Sequence, residues 1–95
     1  MTLDSPVVCA QFRVRGQVQG VFYRASSEAI ALHLGLSGWV RNCENGDVEL
    51  IACGTVQQLD ELEKWLWQGP SRARVTAVQR TPAALQTFHG FEVRC

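Results

Sequence analysis

The stretch best equipped for chemistry is Arg15-Gly-Gln-Val-Gln-Gly-Val-Phe-Tyr-Arg24. Gly16 and Gly20 stand between a strand-like and a helix-like segment. Glycines in such a place let successive backbone N–H groups turn inward as a concave anion nest. At the positive end of a helix, phosphate is the natural guest of that nest. Arg24 falls in the first helical turn, from which a side chain leans back toward the helix N-terminus and can close a guanidinium fork over the same anion. The spacing is not that of a Walker loop, which puts four residues between its glycines and ends in Gly-Lys-Ser/Thr. Two glycines after a strand more often serve only a tight turn, so Arg24 is what turns the loop into a candidate site.

The second stretch is Gly38-Trp-Val-Arg-Asn-Cys-Glu-Asn-Gly-Asp-Val48. Asn42 carries a carbonyl acceptor and an amide donor, enough to hold a water while donating to a neighbouring oxyanion. An asparagine near a hairpin is ordinarily a turn residue. Asn42 gains a chemical reading only if the fold brings it to the nest.

The elements that must do so are legible as patterns. Val8, Ala10, Phe12 and Val14 alternate with polar residues through Arg15, the period of a strand with one buried face. Ala25, Ala29, Leu32 and Leu36 recur at helical spacing, and Gly35-Leu36 has the form of a left-handed cap with its hydrophobic partner. Gly38–Cys43 and Asp47–Cys53 are β-rich runs around Asn45-Gly46, a strong hairpin signal. Thr55 and Gln58 form a capping box ahead of Leu59, Leu62 and Leu66, and Gly69-Pro70 stops that helix. Ala73–Arg80 alternates less cleanly, and Phe91–Arg94 reads as a short closing strand after a loop from Thr81-Pro82 to Gly90. The order β-α-β-β-α-β predicts an α+β sandwich of the ferredoxin-like type, an antiparallel sheet with two helices on one face. Its usual strand order, 4-1-3-2, makes the first two strands run the same way. The loop after Arg15 and the end of strand two at Asn42 then converge at one edge of the sheet.

Composition narrows the function. The 95 residues make one domain, and 46% hydrophobic with 19% charged residues is the balance of a globule with a real core. Nine basic and nine acidic residues leave no net charge to hold a nucleic-acid backbone or an anionic membrane, so neither is expected as a partner. The start, Met1-Thr-Leu-Asp-Ser-Pro6, does not read as a signal peptide, no apolar run approaches the roughly 20 residues of a membrane span, and a cytoplasmic location is expected. Cys9, Cys43, Cys53 and Cys95 include no C-x-x-C pair. Pairing Gly16 with Gly46 across antiparallel strands one and three sets Cys9 opposite Cys53 on the face away from the helices. Opposed Cβ atoms lie at about 4.5–5.5 Å, within a small adjustment of a disulfide.

Together the two stretches resemble the acylphosphatase family. The first matches its signature G-x-V-Q-G-V-x-[FY]-R at Gly16, Val18, Gln19, Gly20, Val21, Tyr23 and Arg24. The second matches G-[FYW]-[AVC]-x-N-x-x-x-G-x-V at Gly38, Trp39, Val40, Asn42, Gly46 and Val48. The resemblance implies one acylphosphatase-like domain over residues 1–95, a cofactor-free, metal-free hydrolase that splits acyl phosphates into a carboxylate and inorganic phosphate. It implies that Arg24 binds the phosphoryl group, that Asn42 positions the attacking water, and that Gly16, Gln17, Val18, Gln19, Gly20, Val21 and Phe22 form the substrate cradle. Inorganic phosphate is expected as product and inhibitor, and the chain as a monomer.

Other readings compete. Cys9 and Arg15 fit the C-x5-R spacing of thiolate phosphatases, but the intervening residues alternate like a strand and hold no glycine. Asp60, Glu61 and Glu63 read as a solvated helix face, His33 and His89 lack partners at ligand spacing, and Trp39, Trp65 and Trp67 read as packing residues. A non-catalytic anion-binding module on the same fold is the main alternative. A nucleic-acid or protein interaction domain would need a basic, aromatic sheet face that the pattern lacks.

Overall fold

The structure, a computed structural model, describes residues 6–94. Cys95 and Met1–Ser5, most of the segment on which the signal-peptide reading rests, lie outside them. The chain folds as β1 (Val8–Gln17), α1 (Tyr23–Leu34), β2 (Ser37–Asn42), β3 (Val48–Gly54), α2 (Val56–Gln68), β4 (Arg74–Ala83) and β5 (Phe91–Arg94). The sheet order is β4-β1-β3-β2-β5. Its first four strands are the expected ferredoxin-like 4-1-3-2 arrangement, every pair antiparallel.

Two expectations about the end of the chain are corrected. Thr81, Pro82 and Ala83 continue β4 rather than opening a loop, and they pair with Gln11, Ala10 and Cys9. Phe91–Arg94 is a fifth strand, added to the far edge beside β2 and parallel to it, so the sheet is mixed. Hydrophobic pattern told of a strand there but not of its edge, because both edges offer the same free backbone groups.

Both helices pack on one face over Phe12, Val14, Val40, Val48 and Leu50, with Leu59, Leu62 and Leu66 supplied by α2. In α2 the capping box forms as read: Gln58 N–H donates to Thr55 Oγ1 at 3.2 Å, and Thr55 N–H to Gln58 Oε1 at 2.8 Å. The buried stripe of α1 is not the expected one. Ala25, Ala29 and Leu32 are exposed, while Tyr23, Ser27 and Ala31 face the core. Tyr23 sets this phase, because its ring is buried and its hydroxyl donates to Leu66 O at 2.6 Å. Ser27 is tolerated inside because its own hydroxyl donates to Tyr23 O at 2.7 Å. Gly35 ends α1 at φ 81° as the cap reading requires.

The β2–β3 hairpin forms around Asn45-Gly46 as read. Asn42 pairs with Val48, and Cys43 N–H donates to Asp47 O at 2.8 Å, which leaves Glu44, Asn45 and Gly46 as the loop. Only Gly46, at φ 96°, takes the left-handed position. Asn45 instead spends its side chain on Asp47, accepting from its N–H at 3.1 Å.

The face away from the helices carries a small second cluster. Cys9 and Cys53 pair in register as expected, form a disulfide, and pack with Ile51, Trp39, Ala83 and Phe88. The thiolate-phosphatase reading of Cys9 ends there, since its sulfur is bonded and its backbone lies in β1. On the same face Glu49 is buried, receives hydrogen bonds from Gln11 and Arg41, and lies 2.7 Å from Arg41 Nη2. Trp39 is flanked by two guanidinium groups, Arg41 at 5.5 Å and Arg94 at 5.0 Å from its ring centre. Asp60 and Glu63, read as merely solvated, both pair with Arg80 and fasten α2 to β4.

Two measurements check these arrangements. The disulfide closes a loop across a sequence separation of 44, so reduction, or Cys9→Ala with Cys53→Ala, should lower the urea-unfolding free energy by about 2–4 kcal/mol. An unchanged unfolding midpoint under reductant would show that the bond does not constrain the chain. For Glu49, burial alone would raise the carboxyl pKa. The hydrogen bonds from Arg41 and Gln11 and the charges of Arg41 and Arg13 outweigh it and hold the group below its ordinary 4.5. Stability from this group is therefore present above that ordinary value and is lost as pH falls through the folded one. Glu49→Gln should flatten the acid limb of stability against pH, and an identical acid limb in both proteins would refute the account.

Candidate active site

β1 and β2 both run antiparallel to β3, so both leave the sheet at the same end. Residues 18–22 leave β1 there and enter α1, and Asn42 ends β2 beside them. Within β2, Gly38, Val40 and Asn42 share one side by the period of a strand, and Val40 is fully buried under the helices. Asn42 is thereby aimed at the first turn of α1. The result is a cavity of about 290 Å³ lined by Val18, Gly20, Phe22, Tyr23, Arg24, Ala25, Asn42 and Val93. Arg24 and Asn42, forecast from distant segments, meet there.

The donors of the cavity are free. Phe22 is the N-cap of α1 at φ 64°, with no side-chain cap, and the first turn contains no acidic residue. The N–H groups of Gly20 through Ala25 donate to no acceptor among the described residues; Ser26 N–H, on Phe22 O at 2.9 Å, is where internal bonding resumes. The backbone is left-handed at Gly20, φ 75°, and at Phe22, and Gly20, Phe22, Tyr23, Arg24 and Ala25 of this stretch line the cavity. The helix end adds its partial positive charge. Arg24 brings a full one, and its Nη1 donates to Arg94 O on β5 at 3.0 Å. Asn42 presents the opposite character: its Oδ1 is buried and has no hydrogen-bond partner among the described residues.

Not every cradle residue reaches the cavity. Gly16 and Gln17 belong to β1 and pair with Val75 and Arg74 of β4 after a register shift at Arg15/Gly16. A Cβ at Gly16 would lie 2.0 Å from Arg74 O, so this glycine serves the close approach of two strands rather than an anion. Gln19 points elsewhere too: its Nε2 donates to Cys43 O and to Asp47 O, each at 2.8 Å, and ties the loop to the hairpin. Val21 packs against the core. Val18, Gly20 and Phe22 line the cavity as expected.

Sequence reading missed three participants. Val93 and the Arg94 carbonyl arrive with β5, whose edge could not be read. Tyr23 fixes the start of α1 through its buried hydroxyl, whose pKa burial pushes far above the ordinary range. Its signal was an aromatic immediately before Arg24. His33 and His89 are exposed, and among the described residues no three His, Cys, Asp or Glu side chains gather as a metal site.

Comparison with known proteins places this geometry. The acylphosphatase family profile matches residues 10–93. An acylphosphatase of Vibrio cholerae is 45% identical over 86 residues, covering 90% of this chain and 94% of that one. One from Xanthomonas oryzae pv. oryzae is 51% identical over 82 residues, covering 86% and 93%. The structure of an acylphosphatase from Coxiella burnetii superposes with a TM-score of 0.90 at 42% identity over 93% of each chain. A profile match over nearly the whole chain, together with these full-length relatives, means that the chain belongs to the acylphosphatase family.

Proposed function

We propose that Arg24 and the free N–H groups around Gly20–Ala25 hold a phosphoryl group while Asn42 Oδ1 holds the water that attacks it. The reaction is that of an acylphosphatase, hydrolysis of a carboxyl–phosphate anhydride to a carboxylate and inorganic phosphate. The observation that carries the assignment of roles is the pairing of opposite characters in one cavity. A pocket built only to bind an anion needs donors, and Arg24 with the helix N-terminus supplies them. A buried, unpartnered acceptor oxygen among those donors would repel an anion and suits a water instead. This disfavours the anion-binding module.

The chemistry needs little more. The water attacks phosphorus in line, the P–O bond to the acyl group breaks, and its electron pair leaves on the carboxylate. Acyl phosphates have a good leaving group, so positioning and stabilisation of charge on the phosphoryl oxygens suffice. A phosphoryl oxygen takes the proton that the water loses, and among the described residues no carboxylate or imidazole lines the cavity. On this reading the whole chain, residues 1–95, is one domain acting as a monomer in the cytoplasm, with inorganic phosphate as product and inhibitor and with no nucleic-acid or membrane partner. Sedimentation at the monomer mass tests the oligomeric part.

Three measurements test the roles. Arg24→Ala should lower kcat/KM for benzoyl phosphate by about 1,000-fold or more and remove inhibition by inorganic phosphate, since one group holds ground-state and transition-state charge alike. Undiminished phosphate inhibition in that folded variant would defeat the role. Asn42→Ala should cut kcat by about 100-fold while phosphate inhibition stays within a few-fold; a wild-type kcat would return Asn42 to the turn. EDTA should leave turnover unchanged, and loss on chelation with recovery on one added cation would overturn the mechanism.

A further inference from the structure

We infer that Phe22 and Val93 form an apolar subsite for the acyl group, so that this enzyme favours acyl phosphates with large apolar acyl groups over small or charged ones. The inference rests on the placement of phosphoryl group and water proposed above.

The cavity has a floor and a mouth. Val18, Tyr23 and the Asn42 oxygen are buried, whereas Phe22 is 77% and Val93 39% exposed. In-line displacement sets the leaving oxygen opposite the attacking water. With the water on Asn42 at the floor, the acyl group must point outward and pass between the two exposed side chains. A cavity of about 290 Å³ is at the lower end of those that enclose whole small molecules, which leaves room beside the phosphoryl group.

Each residue stands where packing alone does not explain it. Phe22 is the only non-glycine with positive φ among the described residues. A bulky side chain is costly in that conformation, and this one recovers little by burial. Val93 pairs with Val40, so it shares the helix-facing side of the sheet yet lies on the outermost strand beside the start of α1. Among the described residues Arg24 is the only charged one of the lining, and the phosphoryl group occupies it. Among the described residues that line the mouth no further charge is left for an acyl group that carries a carboxylate or an ammonium, while an apolar one would cover both side chains and gain from leaving water.

The test compares benzoyl phosphate with acetyl phosphate in Phe22→Ala, Phe22→Leu and Val93→Thr, with inhibition by inorganic phosphate read alongside. The ratio of kcat/KM for benzoyl over acetyl phosphate should fall by about tenfold in Phe22→Ala and about threefold in Val93→Thr. The loss should lie in KM rather than kcat, because the contact is made alike in ground and transition states. Phe22→Leu, which keeps an apolar side chain, should restore most of the ratio. An unchanged ratio in both Phe22→Ala and Val93→Thr overturns the subsite, as does an equal fall in Phe22→Leu. Phosphate inhibition, which involves no acyl group, separates this failure from failure of the Arg24 assignment.

Discussion

One side-chain amide holds the active site in shape. Gln19 gives both hydrogens of its Nε2 to the carbonyls of Cys43 and Asp47, and so joins the loop after β1 to the hairpin after β2. The loop has backbone in the left-handed region at Gly20 and Phe22, a conformation that persists only where its surroundings over-determine it. Asp47 makes the anchor firm, for its carboxylate lies 3.5 Å from Arg13 and from Arg15 and is 3.2 Å from the Asn45 amide. Without that brace the donors of the loop and the acceptor of Asn42 would have no fixed relation.

The rest of the fold fixes the arginine. The Tyr23 hydroxyl ties the first residue of α1 to the last turn of α2, and Arg94 O receives the Arg24 guanidinium from the other side. Arg24 is thus set by a helix–helix contact and a strand–helix contact at once. Gln58 adds a third tie, from the start of α2 to Leu34 O at the end of α1, 2.8 Å away.

The four-stranded frame and the disulfide register were legible because alternation in β1 and β3 leaves one phase that buries Phe12, Val14, Val48 and Leu50 together. Arg24 and Asn42 were legible because their residue types and the strand directions agree. The phase of α1 was not: Ser27 counts as polar in any pattern, and its burial depends on a hydroxyl bond to Tyr23 O that only the folded helix offers. Gly16 looked like part of an anion nest because sequence cannot distinguish a glycine that frees φ from one that makes room for Arg74 O.

The added strand β5 has a meaning beyond the cavity. An open sheet invites pairing with other chains along its edges, and β2, which carries Asn42, would be one such edge. Four residues of β5 cover it and end there, too short to template a partner of any length. The opposite edge, β4, carries Pro82, which has no N–H to offer, along with Arg74 and Arg80. The segment that holds Arg24 by its carbonyl is therefore also the one that covers the β2 edge, and the placement of that guanidinium and the closing of the edge reside in the same short piece of backbone.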